Sequence, residues 1–147
     1  MFCWLCACTI LIKATAFPRK IKMPLKNKQT NTLALGYIQI LMGKTKNNQR
    51  LTLTIFEKLF EELPLQLIDI KNALDNKQYD LAKETTHKLN GSAGFCGLMD
   101  IQQSANVLEG CLLSNDYTNI HQHFLLLQQH SLNFTRHQKF ILTSLAK

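Results

Sequence analysis

The chain of 147 residues is long enough for one domain with a proper core and too short for two comfortable ones. A hydrophobic fraction of 46%, with only 6 Gly and 3 Pro, suits a globular protein built from helices and lacks the turn-rich texture of a β-sandwich. The formal net charge of +7 does not describe a uniformly basic nucleic-acid binder: residues 1–50 hold 9 of the 17 Lys and Arg and no acid, whereas residues 51–147 hold 8 basic against 10 acidic side chains.

In chain order, Met1 to Ile12 is an apolar run too short to span a bilayer as a helix. It lacks the positive n-region of a signal peptide, although Ala14-Thr15-Ala16 mimics a cleavage site. The cationic stretch Lys13 to Lys28 follows. Residues 1–30 therefore read as a basic, poorly ordered leader, with Met23 a candidate start inside it, and residues 31–147 as the domain. A surface anchor through this leader is the single membrane contact the sequence offers. The five cysteines are Cys3, Cys6, Cys8, Cys96 and Cys111. Their odd number and crowding argue against a disulfide framework, and no second Cys/His pair completes a zinc site around Cys3, Cys6 and Cys8. Reduced thiols and a cytoplasmic setting are expected.

The segment Leu33 to Met42 predicts a short helix ended by Gly43. Phe56, Leu59, Phe60, Leu63, Leu67, Ile70 and Leu74 then recur at spacings of three and four, an amphipathic helix with a wide buried stripe. Pro64 predicts a kink or brief break within it. A third helix is expected from Tyr79 to about Gly94, with Asp80 in its first turn, followed by a tight connection at Phe95-Cys96-Gly97. The fourth carries Leu98, Ile101, Ala105, Leu108 and Leu112. After a turn at Ser114-Asn115-Asp116, the last uses Ile120, Phe124, Leu127, Phe134, Ile141 and Leu145. No strand alternation persists, so the fold class is all-α, an antiparallel four-helix bundle with an additional short N-terminal helix. His123, His130 and His137 share a face of the last helix, but successive members are about 10.5 Å apart at 1.5 Å per residue, so no metal is assigned to them.

Within the third helix, Leu81, Ala82, Thr85, Leu89, Ser92 and Ala93 fall together on one side, and His87 points roughly 180° away from its middle. Gly91 lies one turn after His87 and Gly94 two turns after it. Glycine in a helix interior costs about 1 kcal/mol against alanine, so two of them beside an exposed imidazole call for a reason. Their missing Cβ atoms let another protein approach the ring closely.

The pattern His87-Lys88-Leu89-x-Gly91-Ser92-Ala93-Gly94-x-x-Gly97 resembles the phosphoacceptor site of the histidine-containing phosphotransfer (HPt) family, and the resemblance extends as pattern from about Leu33 to Leu145. It implies that His87 is the phosphoacceptor and that Lys88 steadies the phosphoryl charge, with Lys83 one turn earlier able to add to it. Glu109 is expected to face the histidine helix and hydrogen-bond the imidazole, leaving Nε2 as the nucleophile. Gly94, Ala93, Leu98 and Phe95, with Gly91, would form the docking patch for a partner. Asn90 departs from the family, many members of which carry a second lysine there. The implied function is that of a phosphorelay intermediate between receiver domains, one on a hybrid sensor histidine kinase and one on a response regulator, acting as a monomer. No nucleotide-binding motif is present, and no cofactor or nucleic-acid partner is implied; magnesium would come from the receiver. The alternative is a receiver- or kinase-binding adaptor that keeps the bundle without transferring phosphate.

Overall fold

A computed structural model describes residues 26–147, and the leader up to residue 25, with Cys3, Cys6, Cys8, Met23 and the surface-anchor expectation, lies outside the described residues. Six helices follow one another: α1 (Lys26–Lys44), α2 (Gln49–Asp75), α3 (Tyr79–Cys96), α4 (Met99–Leu113), α5 (Ile120–Thr135) and α6 (Gln138–Leu145). There is no strand among the described residues. Helices α2 to α5 pack in a ring, each against its neighbour in sequence and α5 back against α2, while α1 and α6 pack on each other and on α2. The chain is an all-α helical bundle, and none of the described helices is long and apolar enough to cross a membrane.

The stripe read for α2 is the one it buries: Phe56, Leu59, Phe60, Leu63, Leu67, Ile70 and Leu74 line the core, joined by Thr52 and Ala73. Phe60 stacks on Phe134 of α5 with ring centroids 4.9 Å apart, and Tyr37 of α1 meets Phe134 edge-on at 5.4 Å. This aromatic knot ties α1, α2 and α5 together. The core also holds hydroxyls, and each is satisfied locally: Thr52, Thr86 and Ser131 donate to the carbonyl four residues earlier, at 2.9, 2.7 and 2.8 Å.

Four features differ from the sequence reading. Helix α1 is 19 residues long rather than a short segment, since its polar first turns carry no apolar period to announce them. Helix α2 passes Pro64 without the brief break, and the exposed position of the proline leaves the buried stripe on either side intact. Helix α3 continues through Phe95 and Cys96, so the connection to α4 is confined to Gly97 and Leu98. The last helix divides at Arg136 and His137, where the His137 amide donates to the Phe134 carbonyl at 2.9 Å in a tighter turn. Just before this break, Ser131 and Thr135 both hydrogen-bond back into the helix, a contact that bends helices.

Gly97 is the turn that makes the α3–α4 hairpin possible. Its φ of 72° lies in the left-handed region, and a Cβ there would collide with the Ile40 side chain of α1. Only glycine meets both demands without strain.

Candidate functional site

The stripe that α3 buries is Ala82, Thr86, Leu89, Ala93 and Cys96. It shares Ala82, Leu89 and Ala93 with the expected stripe but is rotated from it by roughly 40° at 100° per residue: Leu81 is exposed, and Thr85 and Ser92 are only half-buried. Thr86 can go inside because its hydroxyl is already bonded to the Ala82 carbonyl. The shift places His87 at the edge of the seam between α3 and α4, with its side chain still 74% exposed.

The two helices run antiparallel and meet in successive rungs three or four residues apart. In the first, Nδ1 of His87 lies 2.7 Å from Oε1 of Glu109. In the second, Nδ2 of Asn90 donates to Oδ1 of Asn106 at 2.5 Å and to Oε2 of Glu109 at 2.9 Å. In the third, Gln102 of α4 lies over Gly94. Glu109 thus accepts one bond on each carboxylate oxygen and is itself largely buried, 15% exposed. Burial is the largest single influence on its carboxyl and raises its pKa. The bonds from Asn90 and His87, with the charge of the imidazole, outweigh it and hold the group below the usual carboxylate range. An ionised Glu109 can only accept, so Nδ1 carries the hydrogen, and in the neutral ring Nε2 keeps its lone pair toward solvent.

The lysines of the motif are engaged with their own helix. Lys88 pairs with Glu84 at 2.8 Å and Lys83 with Asp80 at 3.0 Å. The Lys88 bond and charge hold the Glu84 carboxyl below its ordinary range. Such exposed pairs are screened by solvent and contribute little, so Lys88 can turn to a stronger anion at little cost.

Four of the expected docking residues need correction or restriction. Ala93 and Leu98 are buried in the core, 2% and 3% exposed, and present nothing to a partner. Gly94 faces α4 rather than solvent: a Cβ there would stand 2.5 Å from Nε2 of Gln102. That atom is the far end of a flexible side chain, so the contact restricts Gln102 and does not set the spacing of the helices. Phe95 is half exposed, and Lys44 of α1 sits over its ring, 5.5 Å from the centroid. The same Lys44 donates to the Gly94 and Phe95 carbonyls at 3.0 and 2.7 Å, closing the C-terminus of α3 with a favourable positive charge. Gly91 stands in open space, with nothing within 4 Å of where a Cβ would be. Beside it, on the flank away from Glu109, a groove between α2 and α3 is lined by Ile55, Leu59, Gly91, Ser92, Phe95 and Cys96, with the charged Lys58 and Glu62 of α2 also lining it.

Lys44, Asn106 and Gln102 escaped the sequence reading, because only the register of neighbouring helices brings them to α3. No group of three or more His, Cys, Asp or Glu able to hold a metal ion occurs among the described residues. His130 bonds through Nδ1 to Ser104 and to the Asp100 carbonyl, and His137 packs against Tyr37, so this face is partly packed.

A family model described as Hpt domain matches residues 54–131, more than half of the chain, from the second turn of α2 to the last turns of α5. Neither the curated proteins nor the solved structures include a significant match.

Proposed function

The chain belongs to the Hpt domain family, and from that premise we propose that it is a phosphorelay intermediate in two-component signalling, with His87 as the phosphoacceptor. The observation that carries the proposal is the pairing of His87 with Glu109: an exposed ring bonded through Nδ1 at 2.7 Å, with Nε2 facing outward. The Nε2 lone pair attacks the phosphorus of an aspartyl phosphate on a receiver domain. The N–P bond forms as the P–O bond to the aspartate breaks, and its electron pair leaves on that carboxylate. Nδ1 keeps its hydrogen, so the phosphorylated ring acquires imidazolium character, which the Glu109 carboxylate stabilises. In the onward step, the aspartate of a second receiver attacks the phosphorus, and the N–P electron pair returns to Nε2.

The chain supplies the ring, its orientation and a fixed charge, and acts as a carrier with no nucleotide site. Lys88 would leave Glu84 for the incoming phosphoryl group, which carries a charge of about −2. Gly91 keeps the approach to the ring clear, and the neighbouring groove with Phe95 would seat the receiver. The setting is cytoplasmic and the acting form a monomer.

The test is incubation of the full chain with a receiver domain radiolabelled on its aspartate. Acid-labile, base-stable label should appear on the wild type. His87→Gln should fold with the same circular-dichroism spectrum and take none. Label persisting on His87→Gln would refute the assignment.

A further inference from the structure

Asn90 stands where many relatives carry a lysine, yet it is not an idle substitution. Both hydrogens of its amide are in use, one on Asn106 and one on Glu109, and the group lies in the half-buried seam between α3 and α4. Its orientation is forced. Turned over, it would set its oxygen against Oε2 of an ionised Glu109, an acceptor facing an acceptor. Glu109 in turn has one oxygen for each neighbour, so fixing Oε2 on Asn90 leaves Oε1 aimed at Nδ1 of His87. The carboxylate is a long, rotatable side chain that would otherwise lose conformational freedom to hold a ring exposed to solvent.

We propose that Asn90, braced by Asn106, is a positioning residue for phosphoryl transfer: it clamps the Glu109 carboxylate so that the His87 ring is held in the Nδ1–H tautomer with Nε2 free. This rests on His87 being the nucleophile. Asn90 never touches the phosphoryl group; it acts through Glu109, and the arrangement makes the tautomer of His87 depend on a residue one turn along the same helix. The bond to Glu109 is to a charged acceptor, the stronger class of hydrogen bond, and outer groups that orient a metal-bound histidine in a comparable way alter affinity or activity by about 10–100-fold, the scale taken here for an oriented imidazole.

The experiment uses the full chain with nitrogen-15 label on histidine. Two-dimensional NMR reads the tautomer of His87, and the rate of labelling by phosphoramidate, a small phosphoryl donor that needs no docking, reads the nucleophilicity of its ring. Asn90→Ala should retain its fold, lose the single Nδ1–H pattern in favour of mixed tautomers, and take phosphate about tenfold more slowly. Glu109→Ala should do the same, and Asn90→Ala added to Glu109→Ala should change neither readout further, because the effect passes through the carboxylate. Asn90→Asp, which keeps the shape but sets a second carboxylate against Glu109, should be at least as slow as Asn90→Ala. A folded Asn90→Ala with the wild-type tautomer and rate would overturn the proposal, and so would equal slowing by Asn90→Ala when Glu109 is already gone. A wild type that accepts phosphate from phosphoramidate but from no phosphorylated receiver would instead remove the relay reading, leaving the tautomer result to decide the role of Asn90.

Discussion

Glu109→Gln is the substitution that most sharply tests the geometry of the site. The side chain keeps its length and planarity but exchanges one acceptor oxygen for a donor. In the wild type, both oxygens accept, from His87 on one side and Asn90 on the other. Glutamine can satisfy only one of these neighbours. If its oxygen faces His87, its NH2 group confronts that of Asn90, and a bond worth about 0.5–1.5 kcal/mol is lost. If its oxygen faces Asn90, its NH2 group donates to Nδ1, which selects the Nε2–H tautomer and removes the nucleophile. In the first case the imidazolium that forms with the N–P bond under the relay reading loses a charged partner, and bonds to charged groups are worth about 1.5–3 kcal/mol against about 1 for neutral ones. A net loss of about 1.5 kcal/mol corresponds to roughly tenfold in rate. The assay is single-turnover transfer from a phosphorylated receiver, followed by loss of label from the receiver. A pH-stability series provides the second readout. The folded carboxyl of Glu109 lies below its ordinary value, so its contribution is present above the unfolded value, about 4.3, and is lost as pH falls through the folded one. The stability gap between wild type and Glu109→Gln should therefore narrow as pH drops below about 4. Transfer by Glu109→Gln at the wild-type rate would refute the argument that Glu109 must accept from both sides.

Other substitutions separate access, backbone and thiol chemistry. Gly91→Ala should keep or slightly raise stability, by up to about 1 kcal/mol, since alanine is the better helix former and the position is open; Gly91→Gln should keep the fold but slow transfer from a receiver while leaving labelling by phosphoramidate unchanged. Equal rates with both donors would end the steric account. Gly97→Ala should lower unfolding free energy by about 1–2 kcal/mol for the left-handed backbone alone, with the Ile40 contact adding to it, as read by urea denaturation. Burial pushes the Cys96 thiol up to about 11, so it should resist alkylation at pH 8 in the folded protein, and the half-buried Cys111 should react before it. Mass spectrometry after brief iodoacetamide treatment reads the order directly.

How much of this was open to the sequence depends on what each feature needs. The stripes of α2 and α4 were legible, because large apolar side chains repeat at the helical period and nothing polar competes with them. The phase of α3 was not: Leu81 drew the expected stripe toward itself, while the truly buried Thr86 looks polar until its bond to the Ala82 carbonyl is seen. The motif marked His87, Lys88 and Gly91, and the family resemblance, with Glu109 at the edge of the α4 stripe, placed that carboxylate near the ring. It misplaced Ala93 and Leu98, whose small or apolar character reads equally well as docking surface and as core. Gly94 misled for a related reason, since a missing Cβ signals close approach without saying by what. The break after Thr135 and the long polar start of α1 carry no periodic signal at all.

An asparagine rather than a lysine at position 90 changes how the site handles charge. A lysine there would stand beside Glu109 and compete with His87 for its carboxylate, drawing the negative charge away from the ring. Asparagine bonds the same carboxylate without neutralising it, so the charge remains available to the imidazole. Under the relay reading this shifts stabilisation from the phosphoryl oxygens to the ring that carries them. Of the motif lysines, Lys88 then supplies the nearest positive charge to the phosphoryl group, and it must be released from Glu84 to do so. Because that pair is exposed, its competition with the phosphoryl group is between two charges screened by the same salt, over a Debye length of about 8 Å at physiological ionic strength. The Glu109 carboxylate, 15% exposed in the seam against 63% for Glu84, is screened less. The salt dependence of phosphohistidine stability should accordingly come mainly from Lys88 and little from Glu109, so the two halves of the electrostatic design can be separated by ionic strength alone.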